Sequence, residues 1–179
     1  MKGLIIYKSK YGATRQYANW LSNELRLEVR EPEDVTEKEL TGYDFFVIGS
    51  SVYIGKLLIQ DWLKKHLGVL HNKKLFLFIV CATSANEQEK LNTIVNNNIP
   101  FSILNKATIH FLHGKMIVKE LSWFDRLLLK MGARMEKDPK VKKSMLTDFN
   151  SVKKENIAGL VQQVNAFFNK NTKDYARQL

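Results

Sequence analysis

The chain has little of what holds small or exported folds together. A single cysteine, Cys81, in 179 residues excludes an intramolecular disulfide and a thiolate metal cage, and fits a reducing cytoplasm. No apolar run reaches the roughly 18 residues of a membrane span. The opening stretch from Met1 to Lys8 is too short in hydrophobic residues for a signal peptide and reads as a buried first strand. Internal repeats and low-complexity linkers are missing too, so one domain over residues 1–179 is expected. Acidic residues are the last shortage: 18 Asp and Glu face 28 Lys and Arg, a net charge of +10. Such a surface attracts anions, among them nucleic acid, acidic lipid headgroups, phosphorylated ligands and acidic proteins. Outside one segment the lysines are scattered and no known binding module occurs, so no nucleic acid is expected.

What is present is an ordinary globular balance, 45% hydrophobic and 26% charged, in a chain long enough to bury its own core. Short apolar runs rich in Ile, Val, Phe and Leu recur at Gly3 to Tyr7, Phe45 to Gly49, Leu75 to Ala82 and Ala107 to Leu112. Runs of this kind are strands buried on both faces. Helical spacing lies between them, at Thr14 to Leu27, Ile59 to Leu70 and Glu87 to Asn97. A weaker strand at Leu27 to Arg30 and a closing helix from about Ser151 to Phe168 complete the alternation. Asn169 to Leu179 reads as a frayed polar tail. Alternating strands and helices predict an α/β three-layer sandwich around a five-stranded parallel sheet.

A sheet of this kind takes its ligand beyond the carboxyl ends of its strands. The loops there are Ser9-Lys10-Tyr11-Gly12-Ala13-Thr14, Ser50-Ser51-Val52-Tyr53-Ile54-Gly55 and Thr83-Ser84-Ala85-Asn86. The first joins a strand to a helix through a glycine. Its hydroxyls, backbone N–H groups and helix dipole suit a phosphate; a plain turn capped by Thr14 accounts for the same string. Tyr11 fits either the loop or the surface, and Cys81 reads as a small core residue.

Residues 7–14 resemble the flavodoxin phosphate loop, and residues 47–55 resemble the strand and loop that pack on the flavin ring in that family. The resemblance implies a flavodoxin-like fold holding non-covalent FMN. Ser9, Lys10, Tyr11, Gly12, Ala13 and Thr14 would then hold the phosphate. Ser50, Ser51, Val52, Tyr53, Ile54 and Gly55, with Thr83, Ser84, Ala85 and Asn86, would flank the ring, Tyr53 being the stacking aromatic.

Residues of about 115–147 form an insertion that a minimal sheet does not need. Between Lys115 and Lys143 stand nine basic and four acidic residues, half the chain's net charge. Ser122-Trp123-Phe124-Asp125 has the form of a capping box, and Asp138-Pro139 marks a helix stop. On a helical wheel Leu121, Phe124, Leu128, Met131 and Met135 make an apolar stripe with Leu127 at its edge, opposite Lys119, Arg126, Lys130 and Lys137. Three roles are open: an amphipathic helix packed on the sheet with a solvated basic face, a peripheral contact with an anionic membrane, and a wall over the cofactor for a large hydrophobic, acidic substrate. Trp123, Phe124, Arg126 and Lys130 are the candidate substrate or membrane contacts.

Residues 122–130, followed by Met145-Leu146-Thr147-Asp148-Phe149, resemble the menaquinone-dependent protoporphyrinogen oxidases, flavodoxin-like enzymes with an insertion at this place. That resemblance implies oxidation of protoporphyrinogen IX to protoporphyrin IX, in porphyrin biosynthesis, with hydrogen passed through FMN to a membrane quinone. A flavodoxin-type electron carrier and a non-enzymatic membrane or nucleic-acid module are the other readings. No acid or base stands out as catalytic. His66, His71, His110 and His113 lack the spacing of a metal site, since His110 and His113 point to opposite faces of a strand.

Overall fold

A computed structural model describes residues 1–84 and 86–176, the side chains of residues 172–176 aside. In chain order the elements are β1 (Gly3–Lys8), α1 (Ala13–Leu25), β2 (Glu28–Arg30), α2 (Glu37–Thr41), β3 (Phe45–Tyr53), β4 (Lys56–Leu57), α3 (Gln60–Lys65) and α4 (Leu67–Leu70). They continue with β5 (Lys74–Cys81), α5 (Gln88–Asn98), α6 (Phe101–Leu104), β6 (Thr108–His113), β7 (Lys115–Met116), α7 (Trp123–Met135), α8 (Pro139–Met145), β8 (Phe149–Asn150) and α9 (Ala158–Ala176).

Five strands form a parallel sheet in the order β2-β1-β3-β5-β6, and β4 folds back antiparallel on the end of β3. Side chains alternate across each strand, and the sequence supplies apolar residues to both sides. Leu4, Ile6, Phe46, Ile48, Leu75, Leu77 and Ile79 face the helices α2 to α6, through Leu40, Leu63, Leu70, Val95 and Ile103. Ile5, Tyr7, Phe45, Val47, Phe76, Phe78 and Val80 face α1 and α9, through Tyr17, Leu21, Leu160 and Val164. Each fully buried Leu, Ile or Phe contributes about 1.5–3 kcal/mol. This two-sided demand is why the strands read as unbroken apolar runs. The sheet is therefore the three-layer α/β arrangement expected.

Local departures have local causes. The helix expected over Ile59 to Leu70 breaks at His66, whose backbone (φ −104°, ψ 20°) leaves the helical region. The closing helix begins later than expected, at Ala158, after a tight turn over Lys154–Ile157, and runs on to Ala176. The frayed tail expected from Asn169 is thus helical up to that residue, and residues 177–179 lie outside the described part. Asp138-Pro139 does separate two helices: α7 ends at Met135, and Pro139 opens α8 with Asp138 accepting from the Lys140 N–H at 2.8 Å.

Winding reverses between β1 and β3, since β2 lies to one side of β1 and β3 to the other. The carboxyl ends of these two strands are where a crevice must open. They carry the loops 9–14 and 50–55.

Candidate cofactor and substrate cleft

A cleft of about 540 Å³ opens at that point, within the range of small-molecule sites, roughly 300–1,000 Å³. Its floor comes from Ser9, Lys10, Tyr11, Ala13, Thr14, Ser51, Val52, Tyr53 and Ile54. The strand ends Val80, Cys81 and Ala82 close one side. Met116, Leu121, Leu128, Leu129, Met145 and Phe149, all from the segment between β6 and α9, supply an apolar wall.

The first loop has a geometry that suits an anion. Gly12 takes the left-handed conformation at φ 82° as the residue preceding α1, a path open to glycine at little strain. Its N–H donates to Ser9 Oγ at 3.1 Å. The start of α1 has no side-chain cap and no acidic residue in its first turn, so its positive end is uncompensated from within. Thr14, expected as a possible cap, is instead the second helical residue. It is fully buried, and its Oγ1 has no hydrogen-bond partner.

The second loop is pinned from behind. Ser50 Oγ donates to the Ser51 carbonyl and accepts from the Ile59 N–H at 3.3 Å. Asn98 donates to the Gly55 carbonyl and accepts from the Leu57 N–H, both at 2.9 Å. Ile54 sits at φ 47°, a strained position for a β-branched residue, and lines the cleft with its side chain exposed. Ser51 Oγ, like Thr14 Oγ1, is buried with no partner. A buried hydroxyl without a partner is costly, and here both belong to residues lining one cleft.

Over the floor lies a polar cluster centred on Asp125 of α7. This carboxylate is only 7% exposed. Its Oδ1 accepts from Tyr53 Oη at 2.6 Å, and its Oδ2 accepts from Tyr11 Oη and pairs with Lys10 Nζ at 2.8 Å. The Lys10 ammonium also stands 3.4 Å from the centre of the Tyr53 ring, a cation–π contact. Burial pushes the Asp125 carboxyl up, but hydrogen bonds from Lys10, Tyr11 and Tyr53 outweigh it and bring it down to about 2. It is ionised at neutral pH. Lys10 is raised: burial opposes its charge, and Asp125 and Tyr53 more than compensate. Cys81 is buried, and burial pushes its thiol up.

Of the residues expected at the site, Ser9, Lys10, Tyr11, Ala13, Thr14, Ser51, Val52, Tyr53 and Ile54 line one cleft. Gly12, Ser50 and Gly55 shape its loops from behind. Thr83, Ser84 and Asn86 are not among the lining residues, and Ala85 lies outside the described residues. The apolar stripe, for which packing on the sheet was one of three open roles, is largely turned outward. Trp123 (73%), Phe124, Leu127, Met131 and Met135 (82%) are exposed, whereas Asp125 and Ala133 are the buried residues of α7 and Leu128 and Leu129 line the cleft. Arg126 and Lys130 are exposed with the outer face. Only half of the expected capping box forms: Ser122 Oγ accepts from the Asp125 N–H at 3.1 Å, but the Ser122 N–H donates to Tyr11 Oη at 3.3 Å. The Asp125 side chain is thereby free for the loops below.

A parallel α/β sheet with a cleft at its switch point, a glycine turn leading into a helix and a tyrosine-bearing loop beside it is the arrangement of mononucleotide-binding proteins of the flavodoxin type. The model of the flavodoxin domain family matches residues 4–143, and the chain belongs to that family. It is 26% identical over 166 residues to the Escherichia coli (strain K12) protein named protoporphyrinogen IX dehydrogenase [quinone], covering 85% of this chain and 91% of that one. Oxidised flavodoxin 2 from Bacillus cereus is 22% identical, with a TM-score of 0.48 over 63% of this chain and 84% of that one. A flavoprotein in complex with FMN from Lactobacillus acidophilus NCFM is 16% identical, with a TM-score of 0.43 over 63% and 91%. FMN is the cofactor that membership of this family implies, and the residues of the cleft fit it. Thr14, Ser9 and the open end of α1 suit a phosphate, Ser51 offers a buried hydroxyl, and Val52, Tyr53 and Ile54 offer the wall for a ring. Among the described residues no helix is long and apolar enough to cross a membrane.

Proposed function

We propose that the chain is an FMN-dependent oxidoreductase that dehydrogenates a large, apolar substrate carrying carboxylates, of the porphyrinogen class, and delivers the electrons to a membrane quinone. The observation that carries this reading is the continuity of one cleft from the phosphate cradle to an apolar wall made by residues beyond β6. Cofactor and substrate would lie in contact there, which hydride transfer requires. The name of the E. coli relative supports the same substrate class and acceptor.

FMN, when bound, supplies the hydride and electron chemistry. The chain's own residues bind and orient. Thr14, Ser9 and the N–H groups at the head of α1 would hold the phosphate. Tyr53 would flank the ring. Leu121, Leu128, Leu129, Met116, Met145 and Phe149 would exclude water and receive an apolar substrate face. Exposed Arg126 and Lys130, one turn apart on α7, suit the carboxylates of such a substrate or the headgroups of an anionic bilayer. The outer face of α7, with Trp123, Phe124, Leu127, Met131 and Met135 among basic residues, has the chemistry of a peripheral contact with that bilayer, where a quinone resides.

The test is anaerobic reduction of the FMN-loaded protein by protoporphyrinogen IX, followed by addition of a quinone in vesicles. Reduction by the porphyrinogen and reoxidation by the quinone are expected. Failure of the porphyrinogen to reduce the protein, with rapid reduction by a redox protein instead, would replace this reading by an electron carrier.

A further inference from the structure

A thirteen-residue amphipathic helix ordinarily anchors itself by burying an apolar stripe. α7 does not: its buried residues are Asp125 and Ala133, and most of its large apolar side chains point to solvent. What ties its first turn to the body is one carboxylate. Through Asp125 three distant stretches meet, since Tyr53 is 72 and Tyr11 114 positions away. The tie is doubled by the Ser122 N–H, which donates to Tyr11 Oη. All three side chains that hold Asp125, namely Lys10, Tyr11 and Tyr53, belong to the two loops assigned above to the cofactor.

We propose that Asp125 is a clasp that closes α7 over the cleft and positions Lys10, Tyr11 and Tyr53, so that closure of the segment and retention of the cofactor are one coupled event. The inference rests on the FMN reading and deepens it. Asp125 is a positioning residue; nothing in its role requires it to touch a reacting atom. The coupling must be reciprocal: if the closed clasp retains FMN, then FMN holds the clasp closed by the same factor. A polar clasp also differs from an apolar one in being reversible at low cost, because each partner can be rehydrated on opening.

The nine basic residues between Lys115 and Lys143 make trypsin a direct probe of opening, since cleavage tracks the population of the open form. The full-length wild type, Asp125→Asn, and the double variant Tyr11→Phe/Tyr53→Phe are digested with and without FMN, and fragments are identified by mass. FMN release is followed in parallel by recovery of flavin fluorescence. Charge-assisted hydrogen bonds at a partly buried site predict that Asp125→Asn speeds both cleavage within 115–143 and FMN release about tenfold, equivalent to about 1.4 kcal/mol. The double phenylalanine variant, which keeps both rings and the Lys10 pair, should move both in the same direction by a smaller factor. FMN should protect the segment in wild type and lose most of that protection in Asp125→Asn. Unchanged cleavage in both variants would overturn the clasp. Faster cleavage with unchanged FMN release would overturn the coupling and leave Asp125 a structural anchor. If the wild type binds no FMN, the function proposed above fails, and the clasp is then decided by the cleavage rates without FMN.

Discussion

Replacing Thr14 by valine separates a ligand-binding hydroxyl from a structural one, because the two roles predict opposite signs. The substitution keeps shape and β-branching and removes one oxygen. That oxygen is buried without a partner, which costs a folded protein roughly 1–3 kcal/mol. Without FMN, Thr14→Val should be at least as stable as wild type, with a gain of about 1 kcal/mol raising Tm by roughly 2–4 °C. With FMN the hydroxyl would donate to a phosphate, and a hydrogen bond to a charged group contributes roughly 1.5–3 kcal/mol. Its loss should raise the Kd for FMN by a factor of roughly 10–150. Thermal unfolding of the FMN-free protein and fluorescence titration with FMN read the two effects on one preparation. Were Thr14 a helix cap, the same change would lower stability by about 1 kcal/mol and leave Kd alone. That pair of results would refute the cradle.

Three further perturbations test other parts of the account. A Cβ on Gly49 would come within 2.0 Å of the Phe78 ring, so Gly49→Ala should lose about 3 kcal/mol in urea unfolding, and a second change, Phe78→Leu, should restore most of it; an undiminished stability would contradict the sheet packing. His66 is buried, and burial lowers its pKa below the usual imidazole value, with Glu37 opposing and Lys65 assisting. It is therefore neutral in the fold, and its contribution is present above the unfolded value of about 6.5 and lost as pH falls through the lower folded value. His66→Gln should show a shallower loss of stability between pH 7.5 and 5.5 than wild type, and equal slopes would refute this. The outer face of α7 should bind phosphatidylglycerol vesicles in preference to phosphatidylcholine ones, with about 1 kcal/mol per basic residue engaged. Phe124→Glu/Met131→Glu should abolish that binding and spare FMN affinity; equal binding to both vesicle types would contradict the contact.

The sheet was legible because its strands are buried on both faces, so that Phe45 to Gly49 or Leu75 to Ala82 appear as continuous apolar runs whatever surrounds them. That the two main loops meet at one cleft was legible because each follows a strand at the carboxyl edge of the sheet, on either side of the point where the winding reverses. The orientation of α7 was not. A helical wheel groups Phe124, Met131 and Met135 on one apolar stripe without saying whether it faces inward or outward, and what turns the helix is Asp125, held by Tyr11, Tyr53 and Lys10 from far along the chain. Periodicity carries no information about partners at such separations. One signal was available: Asp125 is the only acidic residue between Glu120 and Glu136, in a helix whose other charges are basic. The two-residue strands are set by their pairing, β4 on the end of β3 and β7 with β8, and are too short to leave a pattern of their own.

Titration of the purified protein with FMN, read in the visible absorption spectrum, tests most directly the claim that the cleft between the loops 9–14 and 50–55 is a flavin site. Flavin bands shifted from those of free FMN and saturating at one FMN per chain are the predicted result. A spectrum that remains that of free FMN at micromolar protein and ligand would contradict it.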